Sequence, residues 1–199
     1  MSMEMNDITE VVFVLDSSGS MKGKEKDTID GYNSFVEEEK WEKGKCYLTT
    51  YLFSSQVRRV IDHEEIMEVS RMDGKIYTVG GMTALLDAIG TALSETENRV
   101  KNTTRKVIVC IITDGMENSS REYTYPMIKA EIERKKKDGW KFLFLASNID
   151  VPETASKLGI EKEDSGEYEF TREAVRGNYS RMAKAVSMFR QNGKVDEGW

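Results

Sequence analysis

Cysteine, histidine and proline are all scarce in this chain of 199 residues, which has two, one and two of them respectively. Cys46 and Cys110 sit inside the apolar runs KCYLTTYLF and VIVCIITD, the pattern of buried strands, so both are read as buried free thiols and no disulfide framework is expected. With His63 as the only histidine and no Cys-x-x-Cys pair, the nitrogen and sulfur ligands of an ordinary zinc site are missing. Any metal must be held by oxygen. No apolar run approaches the roughly 20 residues of a membrane-spanning helix, the longest strand-like run being Val107 to Ile112, and the first residues, MSMEMNDITE, are polar and acidic. A cytoplasmic location without membrane association is the expectation. Basic excess is absent too: 29 Lys and Arg stand against 35 Asp and Glu, a net charge of −6, which argues against a general nucleic-acid binder. The run Arg134-Lys135-Lys136-Lys137 reads as a solvated helix end whose cations complement the dipole.

What is present is a strand and helix alternation. Glu10–Leu15 is a continuous apolar strand of the kind covered on both faces, followed by a helix over Glu25–Lys43. Tyr47–Phe53 and Val57–Ile61 are separated by three residues, too few for a parallel crossover, so they form an antiparallel hairpin. Then come a helix over Thr83–Val100, a strand over Lys106–Thr113, a helix opened by Pro126 and closed near Gly139, and a strand over Trp140–Ala146. A short helix over Glu153–Leu158, a short strand over Tyr168–Phe170 and a final helix over Arg172–Asn192 complete the chain. This order predicts one domain spanning 1–199, with a core of about 8–192 and a mobile polar tail over 193–199. Its fold class is α/β: a three-layer, Rossmann-like, doubly wound sheet of six mostly parallel strands with one antiparallel edge strand. His63 is expected in a surface loop and Trp199 in the tail.

The chemistry-bearing residues cluster at strand ends. Asp16-Ser17-Ser18-Gly19-Ser20 follows the first strand, Gly80-Gly81-Met82-Thr83 precedes a helix, and Thr113-Asp114-Gly115 closes the strand VIVCII. In a doubly wound sheet such loops meet at the topological switch point, which sets Asp16 and Asp114 face to face. Two converging carboxylates repel unless a cation lies between them, and an all-oxygen donor set suits a hard ion, Mg²⁺ first, with Mn²⁺ or Ca²⁺ as alternatives. Asp87 is expected to act as a favourable charge near a helix start or as a second-layer hydrogen-bond acceptor, and Met21, Met116, Glu117 and Asn118 flank the site. The sequence assigns no lysine or histidine to it.

Asp16-x-Ser18-x-Ser20, then Thr83, then Asp114, with GGMTALLDAI and IITDG around them, resemble the metal-ion-dependent adhesion site (MIDAS) of the von Willebrand factor type A family, in its stand-alone bacterial or phage form. The resemblance implies that Ser18, Ser20 and Thr83 contact a metal through hydroxyls. Asp16 and Asp114 would act directly or through water. It implies a non-enzymatic protein-binding module in which a partner's Asp or Glu completes the coordination, with an AAA+ ATPase as one candidate partner. Where integrin β-type relatives place acidic residues for a second, adjacent metal, this chain has Met21-Lys22-Gly23-Lys24, so no second site is expected. The enzymatic alternative is a Mg²⁺-dependent phosphohydrolase with Asp16 as nucleophile. That chemistry wants a second carboxylate two residues on, where Ser18 stands.

Overall fold

The computed structural model describes residues 8–169, 171–196 and 199. Strand β1 (Ile8–Asp16) lies near the middle of the sheet, between β2 (Lys45–Phe53) and β4 (Lys106–Thr113), and is parallel to both. Beyond β4 come β5 (Lys141–Ala146) and the three-residue β6 (Ser165–Glu167), both parallel. On the far side β3 (Val57–Glu65) pairs antiparallel with β2, giving the order β3-β2-β1-β4-β5-β6. This is the α/β doubly wound sheet with an antiparallel edge that the order of elements predicts.

The apolar run of β1 splits its residues between two cores. Val11, Phe13 and Leu15 face α1 (Glu25–Lys40) and α5 (Arg172–Asn192), whereas Val12 and Val14 face α2 (Leu85–Val100), α3 (Tyr125–Lys137) and α4 (Val151–Leu158). A period-two strand with helices on both sides needs apolar residues at every position. On the first face Phe13 meets Tyr32 and Phe35 edge-on at centroid distances of 5.4 and 5.1 Å and stacks on Tyr179 at 6.2 Å, so one strand residue gathers both helices. Cys46 and Cys110 are buried free thiols.

Several expectations are corrected. The last strand is Ser165–Glu167 and not Tyr168–Phe170, and Phe170 lies outside the described residues. Backbone hydrogen bonding places β6 beside Phe144–Ala146, and a side chain on Gly166 would come within 2.9 Å of Leu145, so the edge takes a small residue where the aromatic pattern pointed elsewhere. β3 runs on to Glu65 through an irregularity at which His63 adopts φ 52°. His63 is thus a strand residue, stacked on Tyr47 with its Nδ1 3.1 Å from buried Glu10. Trp199 is also no exposed tail residue: it is 8% exposed, its indole N–H donates to Glu163 O at 3.0 Å, and its carbonyl accepts from Arg181. Residues 197 and 198 fall outside the described set.

Candidate metal centre

The strand order reverses between β1 and β4, and the loops leaving their carboxyl ends meet there. Asp16 ends β1 with no exposed surface. Its Oδ1 accepts the Ser18 N–H at 2.7 Å, its Oδ2 accepts the Thr113 hydroxyl at 2.7 Å and the Asp114 N–H at 3.3 Å, and its carbonyl accepts the Tyr77 hydroxyl at 2.6 Å. Burial pushes the Asp16 carboxyl above its ordinary value and the nearby Asp114 charge adds to this, while the Ser18 and Thr113 bonds oppose it. Ser17 fastens the loop to β2 through two bonds to Phe53 O, from its N–H at 2.7 Å and its hydroxyl at 3.0 Å.

Around that anchor the expected ligands converge. Ser18 Oγ and Ser20 Oγ lie 2.9 Å apart, and the Ser20 hydroxyl donates to Asp114 Oδ1. The second loop crosses the first through Gly19 N–H to Gly81 O at 3.0 Å and Gly80 N–H to Ser17 O at 2.9 Å. Gly81, at φ 80°, also leaves no room for a side chain, since a Cβ there would lie 2.7 Å from Ser55 Oγ. Thr83 reaches the cluster across Gly115: a Cβ on Gly115 would be 3.2 Å from both Ser20 Oγ and Thr83 Oγ1. The structure therefore brings Asp16, Ser18, Ser20, Thr83 and Asp114 together. Ser18, Thr83 and Asp114 are buried, and Ser20 is exposed and marks the open side.

Three features were not read from the sequence. Lys24 Nζ pairs with Asp114 Oδ2, which corrects the expectation that no lysine reaches the site. Asn118 holds Thr83 from both sides of its peptide, accepting its N–H at 2.8 Å through Oδ1 and donating its own N–H to Thr83 O at 3.0 Å. Glu117 accepts N–H groups from Leu86, Ser119 and Ser120 at 2.7–2.9 Å, so it acts as a cap for α2 supplied by another loop. Asp87 adds to this clamp by accepting the N–H groups of Arg121, Glu122 and Tyr123 at 2.8–3.0 Å, none of which is a candidate ligand, so it braces the loop beyond the site. Of the flanking residues, Met116 and Met82 stay on the rim, 70% and 51% exposed, whereas Met21 is fully buried.

Two carboxylates, three hydroxyls and a gap kept open by a glycine fit a hard divalent cation. Among the described residues no group of three or more His, Cys, Asp or Glu side chains could hold a metal.

Residues 10–178 match the sequence profile of the von Willebrand factor type A domain. The chain belongs to that family. Solved structures place it in the same fold. The pilus adhesin SpaC from Lactobacillus rhamnosus GG, in its open conformation, superposes with a TM-score of 0.71 at 14% identity, covering 90% of this chain and 30% of SpaC. Proximal thread matrix protein 1 from the mussel byssus, with a zinc-occupied MIDAS motif, gives 0.64 at 13% identity, covering 92% of this chain. Manganese-loaded TRAP protein from Plasmodium vivax gives 0.61 at 16% identity, covering 86% of this chain and 72% of TRAP. The VWA chain described here spans about half the length of the mussel protein, 47%. A search of curated proteins returned no match.

Proposed function

We propose that this VWA domain is a non-enzymatic, metal-dependent protein-binding module. Asp16, Ser18, Ser20, Thr83 and Asp114 would hold Mg²⁺, or Mn²⁺ or Ca²⁺ in its place, and a partner protein's Asp or Glu would approach from the Ser20 side. The observation that carries the reading is the gathering of two buried carboxylates and three hydroxyls around the ends of β1 and β4, with Ser20 exposed beside them. A bound divalent ion supplies there a focused positive charge for a carboxylate. The chain's own part is to keep the donors in register before the ion arrives: Asp16 is fixed by four bonds, counting the one to its carbonyl, and Thr83 by Asn118.

The same bonds weigh against phosphohydrolysis. A nucleophilic Asp16 would have to attack with an oxygen that already accepts from Ser18 or from Thr113, in a position with no exposed surface, and Ser18 supplies no acid/base carboxylate. Calorimetric titration with Mn²⁺ tests the metal, and partner capture in Mg²⁺ against EDTA tests the binding. Loss of both in Asp114→Ala is expected. Capture that survives EDTA and Asp114→Ala overturns the proposal, as does aryl-phosphate turnover abolished by Asp16→Asn.

A further inference from the structure

Lys24 brings an ammonium to the site from the start of α1. It is the residue before α1, at the positive end of the helix dipole, where a cation is disfavoured and where it offers no capping acceptor. Its backbone is nonetheless fixed. The Lys24 N–H donates to Met21 O at 3.0 Å, the carbonyl accepts from Thr28 N–H at 3.0 Å, and Met21 itself is buried without exposed surface. The stem is therefore aimed, and its ammonium rests on Asp114 Oδ2 while Ser20 takes Oδ1. The Asp114 side chain has no exposed surface, whereas that of Lys24 is 22% exposed, so the cation has a way out to water and the carboxylate has none.

We propose that Lys24 is the built-in counter-cation of the metal-free site, and that by competing with the divalent ion for Asp114 it sets the metal affinity. The inference rests on the metal-binding reading above. Without a cation, Asp16 and Asp114 repel across the switch point, and Lys24 relieves this. When a divalent ion approaches, the ammonium must leave Asp114 or remain within a few ångströms of a second positive charge. Either course weakens metal binding, and both end when the charge at position 24 is removed. Two like charges about 4 Å apart repel by about 1–4 kcal/mol between bulk water and a protein surface, so removing the ammonium is expected to tighten metal binding about tenfold or more. Metal occupancy would then depend on a partner's carboxylate arriving to balance the excess positive charge, which couples the two binding events.

The test is calorimetric titration of Mn²⁺ into the wild-type chain, Lys24→Met, Lys24→Gln, Lys24→Arg and Asp114→Ala, with the melting temperature of each in EDTA as a second readout. Expected are binding about tenfold tighter in Lys24→Met and Lys24→Gln, wild-type affinity in Lys24→Arg, no binding in Asp114→Ala, and a lower metal-free melting temperature in the two neutral variants. Using two neutral substitutions separates loss of charge from a folding defect peculiar to either. Binding in the neutral variants that equals or falls below wild type, with Asp114→Ala still inactive, overturns the role of Lys24 and leaves the metal site standing. Absence of Mn²⁺ binding in the wild type and in both neutral variants overturns the metal site and this inference together.

Discussion

Gly115 and Gly31 show how a missing side chain does structural work at single positions. At Gly115 a methyl would stand 3.2 Å from both the Ser20 and Thr83 hydroxyls. The neighbours have to give by a few tenths of an ångström, and the ones that give are donors of the proposed metal. Gly115→Ala is therefore expected to weaken Mn²⁺ binding at least tenfold, about 1.4 kcal/mol, while moving the melting temperature little. A titration showing wild-type affinity would mean that the ligand hydroxyls do not converge there. At Gly31, on α1, a methyl would fall 2.3 Å from the Tyr179 ring, a contact that cannot exist without separating α1 from α5. Gly31→Ala is expected to cost about 1–3 kcal/mol in urea unfolding with metal affinity unchanged. That Asp16 and Asp114 meet was legible because both stand at strand ends of the doubly wound order, while Ser18, Ser20 and Thr83 were singled out as hydroxyl donors by the resemblance to the family's motif. The contacts of Lys24, Asn118 and Glu117 were not legible, because their partners Asp114, Thr83 and Leu86 lie 90, 35 and 31 residues away in sequence. No periodicity reports on such pairs.

Elements whose burial is periodic were legible in the same way. β4 and α5 occupy the expected spans, Lys106–Thr113 and Arg172–Asn192. Departures occur where a tertiary bond overrides local preference: α2 starts at Leu85 and not at Thr83, since Thr83 and Ala84 are drawn out of the helix by Asn118 and by Ser54 O. The C-terminal end of α5 carries a second such bond set. Buried Arg190 reaches the carboxylate and carbonyl of Glu39 at 2.6 and 2.7 Å and Gly44 O at 3.0 Å, tying α5 to the end of α1. Sliding α5 would break this set, and each buried hydrogen-bonding group left without its partner costs about 1–3 kcal/mol. Amide exchange over residues 182–190 is accordingly expected to slow, when Mn²⁺ is added, by no more than the global stabilisation the ion brings; protection that falls there would reveal a mobile α5. Burial pushes Glu39 up from 4.5 to about 7, against the pull of Arg190 and Ser187. The folded chain thus holds more protons than the unfolded chain between those values. The Glu39 contribution is complete below pH 4.5 and is lost as the pH rises through about 7. Urea midpoints of the wild type are expected to fall relative to Glu39→Gln across that window, and parallel profiles would refute the shift.

At the scale of the whole molecule, the net charge of −6 and the buried acid pair at the switch point act on the same equilibrium. A divalent ion that binds the folded chain and not the unfolded one stabilises it by RT ln(1 + [ion]/Kd), about 2.7 kcal/mol at one hundred times Kd. For a domain of this size each kcal/mol moves the melting temperature by about 2–4 °C, so saturating Mn²⁺ is expected to raise it by about 5–11 °C. The long-range attraction of a net-acidic chain for cations is screened within about 10 Å at 0.1 M salt, whereas coordination inside the crevice is not. Adding NaCl should therefore weaken the Mn²⁺ effect only modestly, and Asp114→Ala should abolish it at every salt concentration. The two origins separate in one experiment. A thermal shift that disappears in 0.5 M NaCl, or that persists in Asp114→Ala, would assign the stabilisation to diffuse counter-ions around an acidic protein and not to an ion held at the end of β1 and β4.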